Sequence, residues 1–114
     1  MAVRLTCCDA VSTIDDVALD TLPVTIGRGE EADVRVFDTW ASRIHCILVE
    51  REGSLWVEDR HSSNGTRLNG EFVREAEVRS GDQLTVGITT FRITFSRVPE
   101  SQSATEPTGR FASY

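Results

Sequence analysis

Apolar residues in this chain fall in short alternating runs, and turn-forming residues interrupt them every few positions. Residues 3–8 alternate apolar and polar and predict a strand. Residues 9–20 carry Asp9, Asp15, Asp16 and Asp20 and read as an acidic loop that encloses a short strand near 17–19. Residues 23–26 predict a second strand, ending at Gly27; after the polar stretch 29–33, residues 34–36 predict another. The most strand-like run is 44–49, with a turn over 50–53 and a returning strand over 54–58. A long polar loop covers 59–65. Residues 66–68 and 71–73 flank Asn69-Gly70, a strong hairpin signal, because a type I′ turn needs φ > 0 at both central positions. Ser80-Gly81-Asp82 turns into a strand over 83–86, Gly87 breaks it, and 88–95 form the last strand. No 3.6-residue period is sustained anywhere. Many short strands closed by turns predict an all-β sandwich or barrel.

From Pro99 onward the chain is rich in Ser, Thr, Pro and Glu, and such a segment cannot bury enough apolar surface to offset its ordering entropy. The reading is a single domain over 1–97 and a flexible tail over 98–114. With 114 residues, 39% of them hydrophobic, the chain supports one domain with a modest core.

Charge narrows the partners. The formal net charge is −6, which argues against a nucleic-acid polyanion as ligand. The apolar runs are far shorter than the roughly 18–20 residues of a membrane span, so no membrane is expected. All 12 basic residues are arginine, so every cationic contact is a guanidinium, the group suited to bidentate recognition of oxyanions. Cys7, Cys8 and Cys46 are odd in number and match no zinc spacing, so no metal and no cofactor is expected; Cys46 reads as a small buried hydrophobe. The first residues lack the charged and apolar regions of a signal peptide, and an intracellular, cytoplasmic setting is expected.

The polar chemistry gathers in three motifs, each at the end of a hydrophobic run and hence on a loop. They are Gly27-Arg28, Ser42-Arg43-Ile44-His45, and Ser62-Ser63-Asn64-Gly65-Thr66 with Asn69-Gly70 close behind. Together they offer two arginines, several hydroxyls, an amide and exposed backbone N–H groups, which is the chemistry of a phosphate site. Ser42, His45 and Asp59 also compose a nominal hydrolase triad. On a strand, however, the odd Ser42–His45 separation puts the two side chains on opposite faces, and no nucleophile-elbow pattern is present. No enzyme is expected.

These motifs, with Gly81-Asp82, occur in the order and spacing of a forkhead-associated (FHA) domain, which residues 3–96 resemble. The resemblance implies a β-sandwich of about eleven strands with binding loops at one end. It also implies recognition of phosphothreonine in a partner protein or peptide, within Ser/Thr kinase signalling. Carried over residue by residue, it implies phosphate contacts from Arg28, Ser42, Arg43 (by backbone or guanidinium) and Ser63. It implies contact with the peptide backbone from Asn64, whose amide donates and accepts at once, and from Asn69, which equally suits the first position of its turn. Gly27, His45 and Gly65 are implied as structural supports. Trp40 is unusual before Ser42, and Trp40, Arg60, His61 and Arg74 are the candidates for reading residues beside the phosphothreonine. A phospho-independent assembly module of the same fold is the alternative. Thr105 and Thr108 in the tail are candidates for phosphorylation and self-association.

Overall fold

The computed structural model describes residues 2–8 and 16–96. The tail expected over 98–114, with Thr105 and Thr108, lies outside the described residues, as does most of the acidic loop expected before residue 16. Among the described residues, eleven strands form two sheets. They are β1 (Ala2–Cys7), β2 (Asp16–Leu19), β3 (Val24–Gly27), β4 (Val34–Arg35), β5 (Cys46–Arg51), β6 (Ser54–Asp59), β7 (Thr66–Leu68), β8 (Glu71–Val73), β9 (Glu75–Val78), β10 (Gln83–Val86) and β11 (Thr89–Ser96). One sheet runs β2-β1-β11-β10-β7-β8 and the other β4-β3-β5-β6-β9. All pairings are antiparallel except β3 with β4.

The two-residue period of the sequence explains the core. Along β1 Val3 and Leu5 are buried and their neighbours exposed; Leu55 and Val57 of β6, Leu84 and Val86 of β10, and Phe91 and Ile93 of β11 repeat the pattern. Facing residues from the two sheets merge into one apolar cluster that includes Ile26, Leu48 and Cys46, as expected for that cysteine. Burial pushes the Cys46 thiol well above the ordinary cysteine range, and the negative charge of Asp59 adds to the shift.

Two strands depart from the sequence reading. The run expected over 44–49 begins at Cys46 and extends through Arg51, leaving Ile44 and His45 in the preceding loop. Arg51 is held in the ladder because its guanidinium lies 4.6 Å from the Trp56 ring and bonds both Glu58 and Glu75. The turn therefore shrinks to Glu52 and Gly53, both at positive φ. Strand β9 has no counterpart in the reading. Its sequence, Glu-Ala-Glu-Val, alternates correctly, but Glu and Ala are depleted in strands. As an edge strand it presents Glu75 and Glu77 outward, a charged guard against edge-to-edge pairing.

The sheet register sets where the binding loops gather. Ile26 pairs Cys46, Cys46 pairs Asp59, and Thr66 pairs Val86. The end of β3, the start of β5, the end of β6, the start of β7 and the β10–β11 turn therefore share one end of the sandwich.

Candidate functional site

The site is built around residues 42–45, a non-strand segment held between the end of β3 and the β6–β7 loop. On one side the Arg28 N–H donates to the Ser42 carbonyl (2.9 Å), the Gly29 N–H to the Arg43 carbonyl (3.0 Å) and the His45 N–H to the Ile26 carbonyl (2.8 Å). Gly27 permits this approach: a Cβ added there would lie 2.0 Å from the Arg43 carbonyl oxygen. On the other side the Ser63 N–H donates to Ser42 Oγ (2.9 Å), the Asn64 amide nitrogen to the Trp40 carbonyl (2.6 Å) and the Arg60 N–H to the His45 carbonyl (2.9 Å).

His45 is fully buried and bridges the two loops. Its Nδ1 accepts the Ser42 N–H (3.0 Å), which leaves Nε2 to donate to the Gly65 carbonyl (2.8 Å). This hydrogen-bond pattern assigns the Nε2–H tautomer. Both nitrogens are thereby engaged, and neither serves as a base for Ser42 Oγ. The opposite-faces argument from the sequence does not apply, because 42–45 is not a strand; backbone bonds, rather than strand geometry, separate the pair. Gly65 adopts φ +84°, and an added Cβ would lie 2.8 Å from the Phe72 ring.

Two aspartates fold the loops, and neither role was read from the sequence. Asp38 is buried, and its carboxylate accepts the Trp40 N–H (2.8 Å), the Ile88 N–H (2.8 Å) and the Thr89 hydroxyl (2.7 Å). It thus ties the β4–β5 loop to the β10–β11 turn. Burial raises its carboxyl pKa, but the bonds from Thr89, Ile88 and Trp40 outweigh burial and hold it below the ordinary value. Asp59 accepts from the Ser62 N–H (3.2 Å), the Ser62 hydroxyl and the Thr66 hydroxyl (2.6 Å). Here too burial opposes and the hydrogen bonds win, so the carboxyl is held low. Asp59 is thus spent on its own loop rather than on His45. The Asp38–Trp40 bond is a local signal available in sequence, an aspartate bonding the backbone two residues on; its bonds across 50 residues are not.

What remains unspent defines the chemistry. Arg28 is exposed, and its Nε donates to the Ala41 carbonyl (3.0 Å), while its two terminal nitrogens have no partner among the described residues. Of the acids close in sequence, Glu31 is engaged with Arg43 and Asp33 with Thr25, and Glu30 makes no ion pair with Arg28 among the described residues. Ser42 Oγ accepts from Ser63, which leaves its hydroxyl proton to donate outward. The Ser63 hydroxyl and the Asn64 amide oxygen are likewise unbonded among the described residues. Of the two contacts expected from Arg43, the guanidinium one is taken up by Glu31, at 3.1–3.2 Å, whose carboxyl its own backbone N–H and Arg43 hold low. The Arg43 N–H carries no bond among the described residues. Asn69 stands apart, at the far end of β7. It takes φ +53° in its turn, and its amide oxygen accepts the Gln83 N–H (2.9 Å), so its turn role accounts for it.

A guanidinium fork, two hydroxyls and a backbone N–H thus converge beside an amide with free acceptor capacity, an arrangement that complements a phosphate on an extended chain. Comparison with known proteins points the same way. The model of the FHA domain matches residues 24–87. The oxoglutarate dehydrogenase inhibitor of Corynebacterium diphtheriae is 35% identical over 83 residues, which cover 73% of this chain and 57% of that protein. The glycogen accumulation regulator GarA of Mycolicibacterium smegmatis is 33% identical over 86 residues, 75% of this chain and 53% of that one. The chain thus spans about half the length of these curated relatives. A solved FHA domain, described for phosphothreonine-dependent FHA domain interactions, superposes with a TM-score of 0.77 at 26% identity over 86% of this chain and 100% of that one. The chain belongs to the FHA domain family.

Proposed function

We propose that this domain is a phosphothreonine-dependent recognition module acting in Ser/Thr kinase signalling. The observation that carries the reading is the set of unspent donors at one end of the sandwich. Arg28 supplies its two terminal nitrogens, held in place through Nε. Ser42 and Ser63 supply hydroxyl protons, and Arg43 supplies its backbone N–H. A phosphothreonine brings about −1.5 to −2 charges and three strong acceptor oxygens to that cluster. Asn64, fixed through one amide hydrogen on Trp40, presents its oxygen and second hydrogen to the backbone of the bound peptide. Gly27, His45 and Gly65 hold the loops at the required spacing and contact no ligand.

The partner is a protein or peptide that displays phosphothreonine on an extended segment. Thr105 or Thr108, once phosphorylated, is a ligand of the same chemistry, in cis or from a second copy. An intracellular setting fits the thiols of Cys8 and Cys46, which enter no disulfide. The test is capture by the immobilised domain of an oriented phosphothreonine peptide library. Parallel libraries carry phosphoserine or unmodified threonine. Enrichment confined to the phosphothreonine library supports the reading. Equal capture of all three supports the phospho-independent assembly module instead.

A further inference from the structure

The chain holds two Asn-Gly pairs, Asn64-Gly65 and Asn69-Gly70, and both asparagines are exposed. In such a pair the glycine nitrogen can close a five-membered ring on the asparagine side-chain carbonyl, and glycine has no Cβ to hinder the closure. The ring needs only rotation about the asparagine side chain and backbone, so the bonds that hold each asparagine decide which pair reacts. Asn69 is held twice by β10: its N–H donates to the Gln83 carbonyl (2.7 Å) and its amide oxygen accepts the Gln83 N–H (2.9 Å). It also sits at φ +53° in the tight turn between the paired ends of β7 and β8. Asn64 is held once, by the bond from its amide nitrogen to the Trp40 carbonyl (2.6 Å). Neither its amide oxygen nor the Gly65 N–H carries a bond among the described residues.

We propose that Asn64 is a site of spontaneous deamidation, and that the modification switches the domain off. The Gly65 nitrogen gives its proton to hydroxide and attacks the Asn64 side-chain carbonyl carbon. A new C–N bond forms, the bond to Nδ2 breaks, and ammonia leaves with a proton from water. The cyclic imide then adds one water and opens to aspartate or isoaspartate. In sum, an amide and a water become a carboxylate and an ammonium ion, with no change of oxidation state. The modification itself does not depend on the ligand. Its consequence rests on the phosphothreonine reading above. The new carboxylate has no hydrogen to donate to the Trp40 carbonyl or to a peptide backbone, so acceptor faces acceptor where a bond stood. Its negative charge also repels the phosphate. Isoaspartate further lengthens the main chain by one carbon, next to the Gly65 carbonyl that His45 holds (2.8 Å). A bound phosphopeptide occupies the Asn64 amide and so slows the reaction.

The experiment incubates the full chain in mildly alkaline buffer at physiological temperature, natively, in urea, and natively with a phosphothreonine peptide. Peptide mapping by mass spectrometry follows the one-dalton gain at each asparagine. In the native chain Asn64 is expected to react about tenfold faster than Asn69, a ratio of ~1.4 kcal/mol, the order of one hydrogen bond. In urea that ratio should collapse, and the phosphopeptide should slow Asn64 alone. The modified form is then separated from the unmodified by ion exchange, and both are titrated with the peptide by fluorescence anisotropy. The modified form is expected to bind at least about tenfold more weakly, and Asn64→Asp, prepared directly, should show the same loss with an unchanged circular-dichroism spectrum. If Asn69 reacts as fast as Asn64 in the native chain, or Asn64 stays intact there while both react in urea, the site is refuted. If the modified form binds as tightly as the unmodified one, the switch is refuted. If no phosphopeptide binds the fresh chain, the phosphothreonine reading fails and the switch with it, while the mass measurement alone still decides the modification.

Discussion

Replacing Asp38 with Asn tests whether one buried carboxylate organises the binding end. The carboxylate takes three hydrogen bonds, from Trp40, Ile88 and Thr89, at 2.7–2.8 Å. Bonds to an ionised acceptor each contribute about 1.5–3 kcal/mol, against about 0.5–1.5 kcal/mol for neutral pairs. With its oxygen kept toward Ile88 and Thr89, the asparagine retains two bonds at neutral strength, losing about 1 kcal/mol at each. Its NH2 group then faces the Trp40 N–H, which is left without an acceptor at a further cost of about 1 kcal/mol or more. The sum is about 3 kcal/mol. At about 4–8 °C per kcal/mol for a domain of this size, the midpoint of a circular-dichroism melt at pH 7 should fall by about 12–24 °C.

The effect should also depend on pH in a defined direction. The Asp38 carboxyl has a folded pKa below its ordinary value. Its stabilisation is therefore fully present above the unfolded pKa and is lost as pH falls through the folded one. Asparagine does not titrate, so the gap between the two proteins should narrow on acidification below about pH 4. A drop of less than ~1 kcal/mol at neutral pH, or a gap that widens in acid, would refute the clasp.

One further substitution probes the same framework, and one labelling measurement probes the core. Gly27→Ala must push β3 away from Arg43, breaking the bonds from Arg28 and Gly29 to the 42–43 carbonyls; a loss of about 2–4 kcal/mol in urea unfolding is expected. Phosphopeptide binding should weaken more than about tenfold even where the variant is fully folded, and an unchanged affinity would show that this approach does not align Arg28 with Ser42. Thiol labelling of the native protein should modify exposed Cys8 and spare Cys46, whose thiolate is disfavoured by burial, until denaturant is added. Rapid native labelling of Cys46 would contradict its place in the core.

The sequence pattern disclosed the sandwich because its strands alternate with period two around a two-sided core, as in β1, β6, β10 and β11. It failed where charge masked the alternation. The pattern assigns no element to Glu75-Ala76-Glu77-Val78 and reads Arg51 as part of a turn. Arg51 belongs to a strand because Glu58, Glu75 and Trp56 hold it there, and 75–78 does because it pairs with residues 55–58 of β6. The loop motifs were legible because glycine, hydroxyl and guanidinium chemistry is short-range. The division of labour within them was not. That Glu31 occupies the Arg43 guanidinium, and that Asn69 is turned toward Gln83, follows from which strands lie side by side. The clasp by Asp38 is the clearest case: its bonds to Ile88 and Thr89 span about fifty positions, and nothing local to Phe37-Asp38-Thr39 announces them.

The central claim is that Arg28 binds the phosphate of phosphothreonine. Isothermal titration of one phosphothreonine peptide against the parent chain and Arg28→Ala tests it directly. The parent should bind in the micromolar range. Because Arg28 is exposed and its terminal nitrogens brace nothing among the described residues, the variant should melt close to the parent yet bind about a hundredfold or more weakly, the loss of a charge-assisted guanidinium–phosphate contact. The unphosphorylated peptide should bind neither protein measurably. A folded Arg28→Ala that binds the phosphopeptide as tightly as the parent would contradict the account.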